Sequence, residues 1–90
     1  MITVQFSRHL VRHFSIPQKC EAIGNTVAEL LEDLNRRYPG LADYIVHENG
    51  TLRQHVNIFV GERLLADRQQ LSDSLEDGDD VSIMQALSGG

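Results

Sequence analysis

An α+β fold, with one long helix packed across a mixed sheet, is what this sequence predicts. Three observations carry the prediction. The N-terminal segment alternates, with Ile2, Val4 and Phe6 set against Thr3, Gln5 and Ser7. A single strong helical stripe occupies residues 26–38. Two β-rich segments follow it, one at residues 56–60 and one that begins at Val81.

Alternation at period two puts one face of a strand in a core and the other in water. Residues 8–17 have no clear period and read as the connection to a second strand at 18–23, with Cys20 and Ala22 on one face. Gly24-Asn25 breaks that strand. Thr26-Val27-Ala28-Glu29 is a capping box, in which the Thr26 hydroxyl accepts from an orphan amide and Glu29 reaches back. Val27, Leu30, Leu31, Leu34 and Tyr38 recur at helical spacing. Glu29, Glu32 and Asp33 come early and Arg36 and Arg37 late, which suits the helix dipole. Pro39-Gly40 ends the helix. Residues 41–47 fit either a short helix or a turn that carries Leu41, Tyr44 and Ile45 inward, and residues 48–51 form a loop.

The stretch Val56-Asn57-Ile58-Phe59-Val60 is β-branched and aromatic, as a strand requires. Gly61-Glu62-Arg63 turns into a short Leu64-Leu65-Ala66 segment. Leu71 and Leu75, four apart, fit a short helical turn. Asp77-Gly78-Asp79 is a turn signal. Val81, Ile83 and Gln85 then alternate with Ser82, Met84 and Ala86 in the last strand. The first and last strands are the most hydrophobic pair. They are expected side by side and parallel in mid-sheet, with the helix in the crossover between them. This is the β-grasp, or ubiquitin-like, arrangement. It makes residues 1–86 the domain and residues 87–90 a flexible C-terminal Gly-Gly tail.

Ninety residues make one small domain. At 41% hydrophobic and 23% charged the composition is globular. So small a domain has little room for a deep active site, which favours a carrier, adaptor or binding module over an enzyme. The net charge of −5 disfavours nucleic acid and favours a basic partner surface. No stretch approaches the roughly 20 apolar residues of a membrane helix, and the N-terminal residues lack a signal sequence's apolar core. Cys20 is the only cysteine, which excludes an intrachain disulfide and fits a reducing, cytoplasmic setting.

The chain ends Leu87-Ser88-Gly89-Gly90. The plain reading is a frayed end. The chemical reading starts from the terminal carboxylate, whose pKa of roughly 3.3–3.7 leaves it ionised and a poor electrophile. Transfer requires activation, most simply as an acyl-adenylate made from ATP. The activated carbonyl then accepts sulfur, giving a thiocarboxylate, or an amine, giving an amide. Glycine, without a Cβ, threads a narrow channel. Extended, residues 87–90 reach about 13 Å.

Five segments resemble the MoaD/ThiS family of ubiquitin-like sulfur carriers. They are Gly24-Asn25-Thr26-Val27-Ala28-Glu29-Leu30-Leu31 at the helix start, Tyr38-Pro39-Gly40 at its end, Val56-Asn57-Ile58-Phe59-Val60, the run from Leu75 to Ile83 around Asp77-Gly78-Asp79, and Ser88-Gly89-Gly90. In length, and in the long loop before the Asn-Ile-aromatic-Val strand, the chain is most similar to cysteine-synthesis carriers; siderophore-pathway carriers are similar too. The resemblance implies that an E1-like adenylating enzyme, using ATP and Mg²⁺, activates Gly90, with Leu87, Ser88 and Gly89 as the tail that delivers it. A sulfurtransferase or sulfide source then makes the Gly90 thiocarboxylate, and a sulfur-accepting synthase takes the sulfur. In cysteine-building systems a metalloprotease acts at the tail. The carrier itself catalyses nothing and binds no cofactor. Two relatives of this reading use the same end. One is a protein modifier joined through Gly90 to lysines, although Lys19, as the only lysine, leaves little scope for self-linked chains. The other is a small subunit of a molybdopterin-synthase-type complex. An adaptor with an inert tail is the reading from another class.

Strand parity suggests a docking face. If Val56, Ile58 and Val60 face the helix, Asn57 and Phe59 face out, as do Ser82, Met84 and Ala86. Phe59, Met84 and Ala86 then form an apolar patch beside the tail; the alternative is that a loop or a long polar side chain covers it. His9 and His13 are four apart, the spacing of zinc ligands on a helix, but no helix is expected there and no third ligand stands near. With Arg8 and Arg12 they form either a small basic patch or a solvated loop. Cys20 has no His or Asp partner and reads as a small core residue. Asp73, Glu76, Asp77, Asp79 and Asp80 lack calcium-loop spacing and read as a solvated turn that meets basic residues on the activating enzyme.

Overall fold

The computed structural model describes residues 1–85. In chain order the elements are β1 (Ile2–Phe6), α1 (Arg8–Phe14), β2 (Lys19–Ala22), α2 (Val27–Arg37), α3 (Leu41–Ile45), β3 (Val56–Val60), β4 (Arg63–Leu64) and β5 (Asp80–Gln85). The strands form one sheet in the order β2-β1-β5-β3-β4. Its two inner strands, β1 and β5, are parallel, with Val4 opposite Val81 and Phe6 opposite Ile83. The other pairs are antiparallel. A parallel pair needs a crossover, and α2 lies within it. The arrangement is the β-grasp that the hydrophobic pattern predicts.

The period-two alternation sends Ile2, Val4 and Phe6 of β1, Val56 and Ile58 of β3, and Val81 and Ile83 of β5 into one buried cluster. Val27, Leu30, Leu31 and Leu34 of α2 complete it from above. The capping box forms: the Glu29 amide donates to Thr26 Oγ1 at 3.2 Å, and the Asn25 amide donates to Glu29 Oε1 at 2.8 Å. Just past the last turn of α2, the amides of Gly40 and Ala42 donate to Asn35 Oδ1 at 3.1 and 3.0 Å, which steers the chain into α3. Residues 41–45 are thus a helix, with Leu41 and Ile45 buried and Tyr44 half-buried toward α1.

Two expectations are corrected. Residues 8–14 are a helix rather than an irregular connection, anchored by the fully buried Leu10. Leu71 and Leu75 do not share a helical turn: Leu71 has φ 55° and ends a turn at residues 68–70, and Leu75 follows in a loop. Both leucines are nevertheless buried. What shapes that loop is Asp67, whose carboxylate accepts from the amides of Gln69, Gln70 and Ser72 and from the Ser72 hydroxyl. Among the described residues no helix is long and apolar enough to cross a membrane. The expected boundary at residue 86 and the expected flexible tail lie outside the described residues.

Candidate functional site

The site is the end of β5, the strand that leads to the Gly-Gly sequence. It is hydrogen-bonded on both sides, by β1 and by β3. Ser7, just past β1, secures its last residues. The Ser7 amide donates to the Ile83 carbonyl at 3.0 Å, and the Gln85 amide donates to Ser7 Oγ at 3.3 Å. Across the sheet, Gln85 stands opposite Val56. The last described residue, Gln85, is therefore held by hydrogen bonds within the middle of the sheet.

On the sheet face away from α2, the register sets Leu64 beside Phe59, Phe59 beside Ser82, Ser82 beside Gln5, and Gln5 beside Lys19. Met84 stands beside Asn57. Phe59 and Met84 are thus diagonal neighbours, within reach of each other's side chains. Both are half-buried and neither joins the buried cluster. The parity reading of Phe59 and Met84 as outward-facing is therefore correct, although the patch is less open than an exposed one. Leu64, 49% exposed, extends it. Sequence reasoning gave Leu64 no site role; the available signal was its place across the Gly61-Glu62 turn from Phe59. Ala86, Leu87, Ser88, Gly89 and Gly90, which sequence reasoning put in the patch and the tail, lie outside the described residues.

The remaining candidates have structural roles. His9 and His13 lie on one face of α1, where His9 Nε2 hydrogen-bonds the Tyr44 hydroxyl at 2.8 Å. The His13 ring stacks on Tyr44, with centroids 4.8 Å apart, and Phe14 meets Tyr44 edge-on. These rings dock α1 onto α3. Cys20 is half-buried on β2, and burial pushes its thiol up, against the pull of Arg37 and Tyr38; it stays a thiol at neutral pH. Asp73 is not simply solvated. Burial pushes its pKa up, but donation from the Ala66 and Asp67 amides and from Arg63 outweighs that and holds the carboxyl below its ordinary range. Asp79 accepts from the Glu76 amide and shapes the turn before β5.

A β-grasp domain whose central strand runs toward a Gly-Gly sequence defines a class by its architecture, the ubiquitin-like proteins. Within that class the chain belongs to the ThiS family, whose sequence model matches residues 14–90. It is similar to the sulfur carrier protein CysO of Mycobacterium tuberculosis, 29% identical over 91 residues that cover 99% of this chain and 98% of that protein. It is also similar to small archaeal modifier protein 3 of Haloferax volcanii, 34% identical over 65 residues, 72% of this chain and 70% of that protein. Among solved structures, a chain of the Amycolatopsis orientalis BexX/CysO complex superposes with a TM-score of 0.87 at 29% identity, covering 100% of both chains.

Proposed function

We propose that this chain is a sulfur carrier of biosynthesis, working in the cytoplasm with Gly90 as its reactive end. An E1-like enzyme binds the domain, takes up the tail, and uses ATP and Mg²⁺. The Gly90 carboxylate attacks the α-phosphate; pyrophosphate leaves and an acyl-adenylate forms. Bisulfide, either free or released from a sulfurtransferase persulfide by a thiol reductant that is oxidised to a disulfide, adds to the carbonyl. A C–S bond forms, the C–O bond to AMP breaks, and the proton goes to solvent, leaving the thiocarboxylate. A synthase then accepts the sulfur, and in a cysteine-building pathway a metalloprotease frees the product from the tail. The domain supplies a fixed root at Gln85, a four-residue lead of Ala86, Leu87, Ser88 and Gly89, and a docking face built on Phe59 and Met84. It needs no cofactor of its own.

The observation that carries this reading is the ThiS match extending to Gly90, together with similarity along nearly the whole length of a named sulfur carrier. The test is the intact mass of the protein from its native host under sulfur limitation. The expected result is a sulfur-for-oxygen increase that fragmentation assigns to Gly90 and that disappears when Gly90 is deleted. An unmodified mass in both starved and replete cells that contain the activating enzyme overturns it.

The similarity to an archaeal modifier supports a second reading, conjugation of Gly90 to lysines of other proteins. The same adenylate serves, with an amine in place of bisulfide. This chain has no Lys or Arg after Arg68. Trypsin therefore leaves residues 69–90 on a modified lysine, an unusually long mark to search for.

A further inference from the structure

The net charge of −5 points to a basic partner, but the charged residues at the two ends of β5 differ in sign. Glu76, Asp77, Asp79 and Asp80 gather where β5 begins. Where β5 ends the sign reverses. One depression beside Gln85 is lined by Ser7, Arg8, His9 and Arg12, and another by Asp43, Tyr44, Arg53 and His55. At a rise of about 3.3 Å per residue, the two ends of β5 lie roughly 17 Å apart.

The cations at the tail root are not neutralised within the described residues. Arg8 and Arg12 are exposed, one turn apart on α1, and neither makes an ion pair there. Like charges at that spacing repel, so the pair does not stabilise the free domain. The Arg53 guanidinium donates to the Asp43 backbone carbonyl, at 3.1 and 2.8 Å, and forms no ion pair with the Asp43 carboxylate. Three guanidiniums therefore flank the strand end, with Asp43 the one carboxylate lining either depression.

We propose that Arg8, Arg12 and Arg53 form a cationic collar that docks against acidic side chains at the mouth of the activating enzyme's tail channel. The inference rests on the carrier reading above. Any enzyme that draws Gly90 into its active site brings the rim of its channel to the tail root, because residues 86–90 extend only about 17 Å. Guanidinium forks match carboxylates bidentately. A phosphate of the adenylate is the wrong occupant, since it forms at Gly90, at the far end of the tail. The bulk negative charge turns the acidic end of β5 away from an acidic partner and the collar toward it, which orients the encounter.

The test is ATP–pyrophosphate exchange by the host's E1-like enzyme, titrated with carrier at low and high salt. Arg8→Glu and Arg12→Glu each change the charge by two. Arg36→Glu, exposed on α2 and outside both depressions, makes the same change elsewhere. The collar variants are expected to raise the carrier's KM about tenfold at low salt with kcat nearly unchanged. That difference shrinks at high salt, and Arg36→Glu leaves KM within about twofold, as a charge remote from the contact should. Arg8→Glu puts an acid in the first turn of α1, which the helix dipole favours, so it remains informative if Arg12→Glu fails to fold. Equal shifts in the Arg8 and Arg36 variants, or an effect that persists at high salt, overturn the collar. No exchange with the wild-type carrier overturns the carrier reading itself, and the collar with it.

Discussion

At Asp67 one carboxylate collects the donors of a whole loop. Donation from Ser72, then from the Gln70 amide and the other loop amides, brings its pKa down to about 2. The loop that results lets Leu71 take φ 55° and still bury its side chain. The sign of the pH effect follows from linkage. The folded pKa is depressed, so the contribution is fully present above the unfolded value near 4 and is lost as pH falls toward 2. Asp33, held down first by Arg37, and Asp73 act in the same direction. Asp67→Asn is expected to lower the urea midpoint at pH 7 and to flatten, without abolishing, its fall between about pH 4 and pH 2. Urea titrations at several pH values check this. Parallel wild-type and variant curves would show that the charge on Asp67 does not stabilise the loop.

Between elements, Gly24 allows β2 to pass directly into α2. A Cβ there would meet the Leu30 amide nitrogen at 2.6 Å and the Leu30 Cα at 2.9 Å, both backbone atoms of the helix that cannot swing aside. Gly24→Ala is therefore expected to cost about 1–3 kcal/mol by chemical denaturation, the range for overpacking a tight site. A loss within error would mean that the β2–α2 crossing yields easily. The sequence marks Gly24 only as a break; the close approach is a tertiary fact. The same distinction separates what was legible from what was not. The four longer strands and α2 carry their periodicity in the chain, and the parallel pairing follows from which strands are most apolar. Helix α1 does not announce itself. It has seven residues, no acid in its first turn and no side-chain bond from its Ser7 cap. So short a helix is not stable alone. Leu10 in the core and the Tyr44 contacts of His9 and His13 hold it, and they join segments far apart in the chain. The site divides likewise: Phe59 and Met84 follow from parity, whereas the grouping of Arg8 and Arg12 with Arg53 exists only once β1, β5 and β3 lie side by side.

Across the whole molecule, the sheet has a core face and a face proposed for recognition, and adjacent residues of β3 fall on opposite sides of it. Ile58 is fully buried under α2, while Phe59 is half-buried on the far face between Leu64 and Ser82. Ile58→Ala removes core packing and is expected to cost about 2–5 kcal/mol of stability. Phe59→Ala is expected to cost much less, because little of its surface is shared with the core. Its effect should appear instead in carrier recognition. An aromatic anchor at an interface is worth about 2 kcal/mol or more, which is roughly thirtyfold in the KM of pyrophosphate exchange. That rise should persist at high salt, since the contact is apolar, and this distinguishes it from the collar. Phe59 on β3 and Arg8 on α1 share no hydrogen bond or ion pair among the described residues, so the Phe59→Ala and Arg8→Glu effects are expected to add in free energy. A Phe59→Ala variant that melts as early as Ile58→Ala would assign Phe59 to the fold. A stable Phe59→Ala variant with unchanged KM would remove the patch from recognition and leave docking to the collar and the tail.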